Sequence, residues 1–173
     1  MKRIAVVGVL LALAGGRALP AQGGSSSVAA DAVVVTTGMT IATLRDLNFG
    51  TVIKGVATTV APAAANAGEW QVSGSGNAFV IISFTLPTTL TNIQALPGST
   101  MPIAFNATSA IWRRATNNPA GGNVFNPAVG DVGRLGPPPN FNMYIWLGGT
   151  VNPAPTAKPG IYQGNVVVSL IYQ

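Results

Sequence analysis

Thirteen prolines and twenty-one glycines cut this 173-residue chain into short stretches, and nowhere between them do apolar residues recur at helical spacing with caps at both ends. What lies between the breakers is rich in β-branched residues. Val28 to Thr37 (VAADAVVVTT), Met39 to Leu44, Leu47 to Ile53, Val56 to Ala61 and Glu69 to Ser73 read as strands. So do Ala78 to Leu86, Met101 to Ala107, Phe141 to Val151 and Ile161 to Tyr172. Ala78 to Leu86 (AFVIISFTL) is the most hydrophobic of these, and its length and branching suit a strand buried on both sides. Ile111 to Asn140, with five prolines and five glycines, reads as long surface loops holding one or two short strands. Many short strands between turn signals predict an all-β sandwich.

The chemistry available to such a chain is narrow. There is no Cys and no His, and the only acids are Asp31, Asp46, Glu69 and Asp131. A disulfide framework, the usual zinc and haem sites and every Ser-His or Cys-His pair are excluded. We therefore expect no catalytic residue, no metal and no cofactor. Charged residues make up 8% of the chain and hydrophobic ones 48%, a balance that favours a buried core over disorder. Gly74 to Phe79 opens like a dinucleotide fingerprint, but it lacks the third Gly and leads into a strand, so it reads as a turn.

The start of the chain reads as an export signal. Lys2 and Arg3 precede an apolar run from Ile4 to Ala14, and small residues follow to Ala21, where we place cleavage. The run is short for a bilayer span, which takes about 20 residues. Without residues 1–21 the chain keeps six basic and four acidic side chains, so the basic character that would support nucleic-acid binding largely disappears. We expect no embedded membrane segment. Residues 22–38 read as an N-terminal extension and 39–173 as the sandwich domain.

Alternation along the last strand is informative. One face carries Tyr162, Gly164, Val166, Val168, Leu170 and Tyr172 and is almost wholly apolar; the other is mixed. With Gly160 fourteenth from the end and Tyr172 next to last, this segment resembles the closing strand of chaperone–usher pilus subunits. Further pieces are similar to the spore-coat-protein-U-like, pilin-like secreted family. They are Leu47-Asn48-Phe49-Gly50, the turn and strand from Gly74 to Pro87, Gly148-Gly149-Thr150-Val151 and Pro159-Gly160-Ile161-Tyr162-Gln163-Gly164.

The resemblance implies an immunoglobulin-like sandwich lacking its final strand, completed by donor-strand exchange. A periplasmic chaperone would first lend a strand, an outer-membrane usher would direct assembly, and the extension of a second copy would then fill the groove. The product would be a non-covalent homopolymer, a pilus, fibre or coat, secreted through the periplasm to the cell surface. Gly160, Tyr162, Val166, Val168, Leu170 and Tyr172 would form one groove wall and meet the chaperone. The donor would be Val28 to Thr37. Its inserted face is either Val28, Ala30, Ala32 and Val34 or the alternate set, which Asp31 disfavours. Val28 to Thr37 also suits an ordinary first strand of a complete sandwich. The second functional class is such a self-complete secreted module or adhesin, recognising a host surface or glycan. Trp112-Arg113-Arg114 would be a sugar- or phosphate-binding patch or a solvated loop with one anchoring Trp. An enzyme is the third class, disfavoured by the want of acid–base residues.

Overall fold

The computed structural model describes residues 24–34, as a strand, together with 38–94 and 99–173. The expected signal at 1–21 and the end of the Val-rich segment, 35–37, lie outside the described residues. Among the described residues there are fourteen strands and no helix. They are β1 (Gly24–Val34), β2 (Thr40–Arg45), β3 (Leu47–Val52), β4 (Thr58–Val60), β5 (Gly68–Ser73), β6 (Phe79–Thr85) and β7 (Thr89–Asn92), followed by β8 (Thr100–Ala104), β9 (Ala110–Arg114), β10 (Asn123–Phe125), β11 (Asp131–Arg134), β12 (Asn142–Leu147), β13 (Gly149–Val151) and β14 (Tyr162–Tyr172).

The strands form two layers. One sheet runs β11-β6-β14-β7-β8-β13-β4, with β1 joined to the free side of β14 and β3 joined to β1. The other runs β10-β9-β12-β5-β2. Every pairing is antiparallel except that of β1 with β14. The fold is an immunoglobulin-like β-sandwich, as the strand count and turn spacing predict.

The core lies between the layers and follows from alternation. Trp70, Val72, Met143, Ile145 and Leu147 enter it from the five-stranded sheet. Val80, Ile82, Leu90, Val166, Val168 and Leu170 enter it from the other. Trp70 meets Phe84 edge-on, with ring centroids 5.9 Å apart. Edge strand β2 is mostly exposed, and Arg45 pins it: its Nε donates to the Ala67 carbonyl at 3.0 Å and its guanidinium pairs with buried Glu69.

Several boundaries differ from the sequence reading. Ala78 to Leu86 is not buried on both sides, since Phe79 and Ile81 on the outer face are 50% and 40% exposed. The outer face of β6 is left open because no third layer covers it. Phe141 to Val151 is two strands, β12 in one sheet and β13 in the other, with Gly148 at the crossing. Residues 111–140 are mainly loops, as expected, but hold three short strand pieces rather than one or two. They complete β9, an interior strand of the five-stranded sheet, and add edge strands β10 and β11. Strand β7 was not foreseen.

Candidate functional site

The feature that sets this sandwich apart is the slot between β3 and β14. The two strands are not paired with each other; β1 lies between them. It runs parallel to β14, in a register that places Ser26 opposite Tyr162 and Val34 opposite Leu170. It runs antiparallel to β3, with Gly24 opposite Val52 and Val28 opposite Leu47. In the single chain, then, the expected donor segment occupies the chain's own groove, beginning four residues earlier than its Val-rich part.

Each wall has a sequence cause. On β14, Tyr162, Val166, Val168 and Leu170 are buried, while Gln163, Asn165 and Ile171 are exposed, which is the alternation read from the sequence. Gly164 shares the inner face because a Cβ there would stand 2.7 Å from the Leu90 side chain. On β3, Leu47, Phe49 and Val52 are all buried, which strict alternation forbids. A bulge resolves this. Ser26 faces Gly50 and Ser27 faces Asn48, leaving Phe49 as the extra residue. Gly50 takes φ +64°, a conformation open to glycine at little steric cost. The Leu-x-Phe-Gly sequence is thus the chemistry of a bulged wall that lets Val52 join Leu47 and Phe49 on the inner face.

The register bears on the question alternation left open. Val28, Ala30, Ala32 and Val34 take the positions opposite Gly164, Val166, Val168 and Leu170, the inner residues of β14. Asp31 takes the position opposite Val167 on the other set.

Both ends of β14 are fastened. At its start, Gly160 adopts φ +146°, and a Cβ would fall 2.3 Å from Asn92 Nδ2. The Asn92 amide donates to the Pro159 carbonyl at 3.4 Å, and the Tyr162 hydroxyl donates to the Lys158 carbonyl at 2.6 Å. At its end, the Tyr172 hydroxyl accepts the Ser75 N–H at 2.9 Å and donates to the Gly38 carbonyl at 3.4 Å. The small-residue turn exists to admit this ring, since a Cβ at Gly74 would stand 2.2 Å from the Tyr172 oxygen. Gly160 and Tyr172 therefore sit outside the groove proper and clamp its wall, whereas Tyr162, Val166, Val168 and Leu170 line the core beneath it.

Other candidates come out differently. Trp112 is no loop anchor: it is 9% exposed, points into the core, and its Nε1 donates to Asp131 Oδ2 at 2.7 Å. Arg114 donates to Asn77 Oδ1 at 2.8 Å, and the Arg113 guanidinium holds the Asn118 and Ala120 carbonyls. The WRR patch is therefore spent on structure. Trp70 is a core residue, while Trp146 stacks on Tyr144 on the other face of its sheet, with centroids 6.1 Å apart. Among the described residues no group of three or more Asp or Glu side chains converges, and no helix is long and apolar enough to cross a membrane.

A family described as a domain of unknown function, DUF4402, matches residues 39–172. The chain belongs to that family. No curated protein matches it. The DUF4402 match starts at Met39, one residue before β2, and ends at Tyr172, the last residue of β14. Both walls of the groove thus fall inside the DUF4402 domain, and the strand that fills it falls outside.

Proposed function

We propose that this DUF4402 chain is an exported structural subunit that polymerises non-covalently into a surface pilus, fibre or coat by donor-strand exchange, with no enzymatic role. One observation carries the reading. The domain's two groove walls, β3 and β14, are paired only through β1, a segment that precedes the family-matched residues. A domain whose sheet is completed by an appended strand can be completed by the same strand of a second copy, because β-addition uses main-chain hydrogen bonds with alternate side chains supplying fit. In this reading Val28, Ala30, Ala32 and Val34 are the inserted set. A periplasmic chaperone and an outer-membrane usher handle the subunit on its way to the surface. An uncovered groove would present unpaired edges that associate indiscriminately, which is what a strand-lending chaperone prevents.

The pairing of β1 with its own β3 and β14 also favours a second reading, a self-complete secreted sandwich that binds a surface or glycan as a monomer. A denaturing gel of the surface fraction of producing cells, run unboiled and boiled, separates the two. Strand exchange gives a ladder of subunit multiples that collapses on boiling, since a chain without Cys has no disulfide to hold it. A single monomer band in both lanes sinks the polymer reading.

A further inference from the structure

We infer that β1 is an intramolecular plug: inserted in its own groove, it holds the single chain in a closed, assembly-incompetent form, and strand exchange begins only when it withdraws. The inference rests on the strand-exchange reading above and adds its regulation.

The plug fills both sides of the slot. Nine residues of β1 register with β14 and its first five with β3, so the edges that the two walls turn to the slot are already paired, while Ala29 to Val34 have a strand partner on the β14 side alone among the described residues. Its connection to the body is short, since β1 ends at Val34 and β2 starts at Thr40, leaving only residues 35–39 between. A segment tethered over so short a span meets its own groove at an effective concentration on the order of 1 mM. Against subunits at about 1 μM, self-insertion therefore has roughly a thousand-fold head start. The polarity pulls the other way. The tethered strand lies parallel to β14, and parallel ladders are slightly the weaker per residue. A donor from a second copy carries no tether that fixes its direction. Proximity thus favours closure at low concentration, and crowding of subunits favours exchange.

The structure also places a latch at the hinge. Gly38, near the end of the connection, takes φ +85°, and its carbonyl accepts the Tyr172 hydroxyl. The Tyr172 hydroxyl oxygen in turn accepts the Ser75 N–H. Tyr172 therefore ties the point where β1 departs to the end of the strand that β1 covers.

The test uses the absence of Cys. In the full chain, Ala29→Cys with Asn165→Cys puts two thiols at registered positions, Asn165 being exposed. Val33→Cys with Ser169→Cys is the second pair, should the first fail to fold. Mild oxidation in dilute solution should consume both thiols within a monomer. On concentrating, the oxidised form should stay monomeric while the reduced form builds a boil-sensitive ladder. Disulfide-linked multimers from dilute solution, or two free thiols, would overturn the plug while leaving strand exchange standing. Equal ladders from oxidised and reduced protein would overturn the plug as well. A monomer cross-link with no ladder under either condition would sink strand exchange and the regulatory role together.

Discussion

At the scale of single residues, the most informative side chain is Tyr172. It is only half-buried, its ring packed against the margin of the core beside the Gly74 turn. The hydroxyl nonetheless joins three pieces of chain: β14, the Gly74-Ser75 turn and the Gly38 hinge. Tyr172→Phe keeps the ring and removes the oxygen. It removes two hydrogen bonds, but the one to Gly38 is long at 3.4 Å, and the expected cost is about 0.5–1.5 kcal/mol because the Ser75 N–H is exposed enough to find water. In a domain of this size that lowers the thermal midpoint by a few degrees, roughly 2–4 °C per kcal/mol, which calorimetry resolves. A fall several times larger would mean that the hydroxyl holds more than this turn.

At the scale of elements, the instructive case is the passage from β12 to β13. Gly148 lies where the chain leaves one sheet for the other, and a Cβ there would stand 2.2 Å from the Val60 carbonyl oxygen and 2.7 Å from the Pro62 nitrogen. Both neighbours are backbone, so neither can swing aside. Gly148→Ala should therefore cost at least the roughly 1–3 kcal/mol typical of overpacking, seen as a lower urea midpoint with an unchanged slope.

The sequence reads Phe141 to Val151 as one strand and does not reveal that the chain changes sheets at Gly148, because the apolar run from Met143 to Leu147 is continuous and both sheets bury their inner face. The reverse holds for β14, whose alternation over eleven residues was plain enough to predict every buried position. The middle of the chain was illegible for a third reason. Strands β9, β10 and β11 have only three to five residues each, and Trp112 is drawn inward by Asp131, nineteen residues away. Leu47 and Phe49 were noticed as a motif and share a face by alternation, but the bulge that lets Val52 join them appears only when β1 is seen opposite β3.

At the scale of the whole molecule, the question is what the body is without its first strand. Deleting 22–37 takes away the only strand that β3 pairs with among the described residues and one of the partners of β14. Losing about a dozen ladder bonds at a net 0.5–1.5 kcal/mol each removes roughly 6–18 kcal/mol, comparable to the whole stability of an ordinary domain. It also leaves Leu47, Val52, Val166, Val168 and Leu170 on strands with bare edges. We expect the truncated chain to persist in the periplasm only in complex with a strand-lending partner, and to add to no polymer as a donor. A free peptide of residues 24–34 should rescue its solubility, with a midpoint that rises as peptide is added, because a ligand for the folded state stabilises in proportion to the logarithm of its concentration. The same peptide carrying Ala32→Asp should fail to rescue, since Ala32 takes the position opposite buried Val168 and a carboxylate has no partner there. Asp at position 33, opposite Ser169, should be tolerated. Equal rescue by both variant peptides would show that main-chain pairing alone decides what the groove accepts; a reversed preference would put the other face of the strand inside.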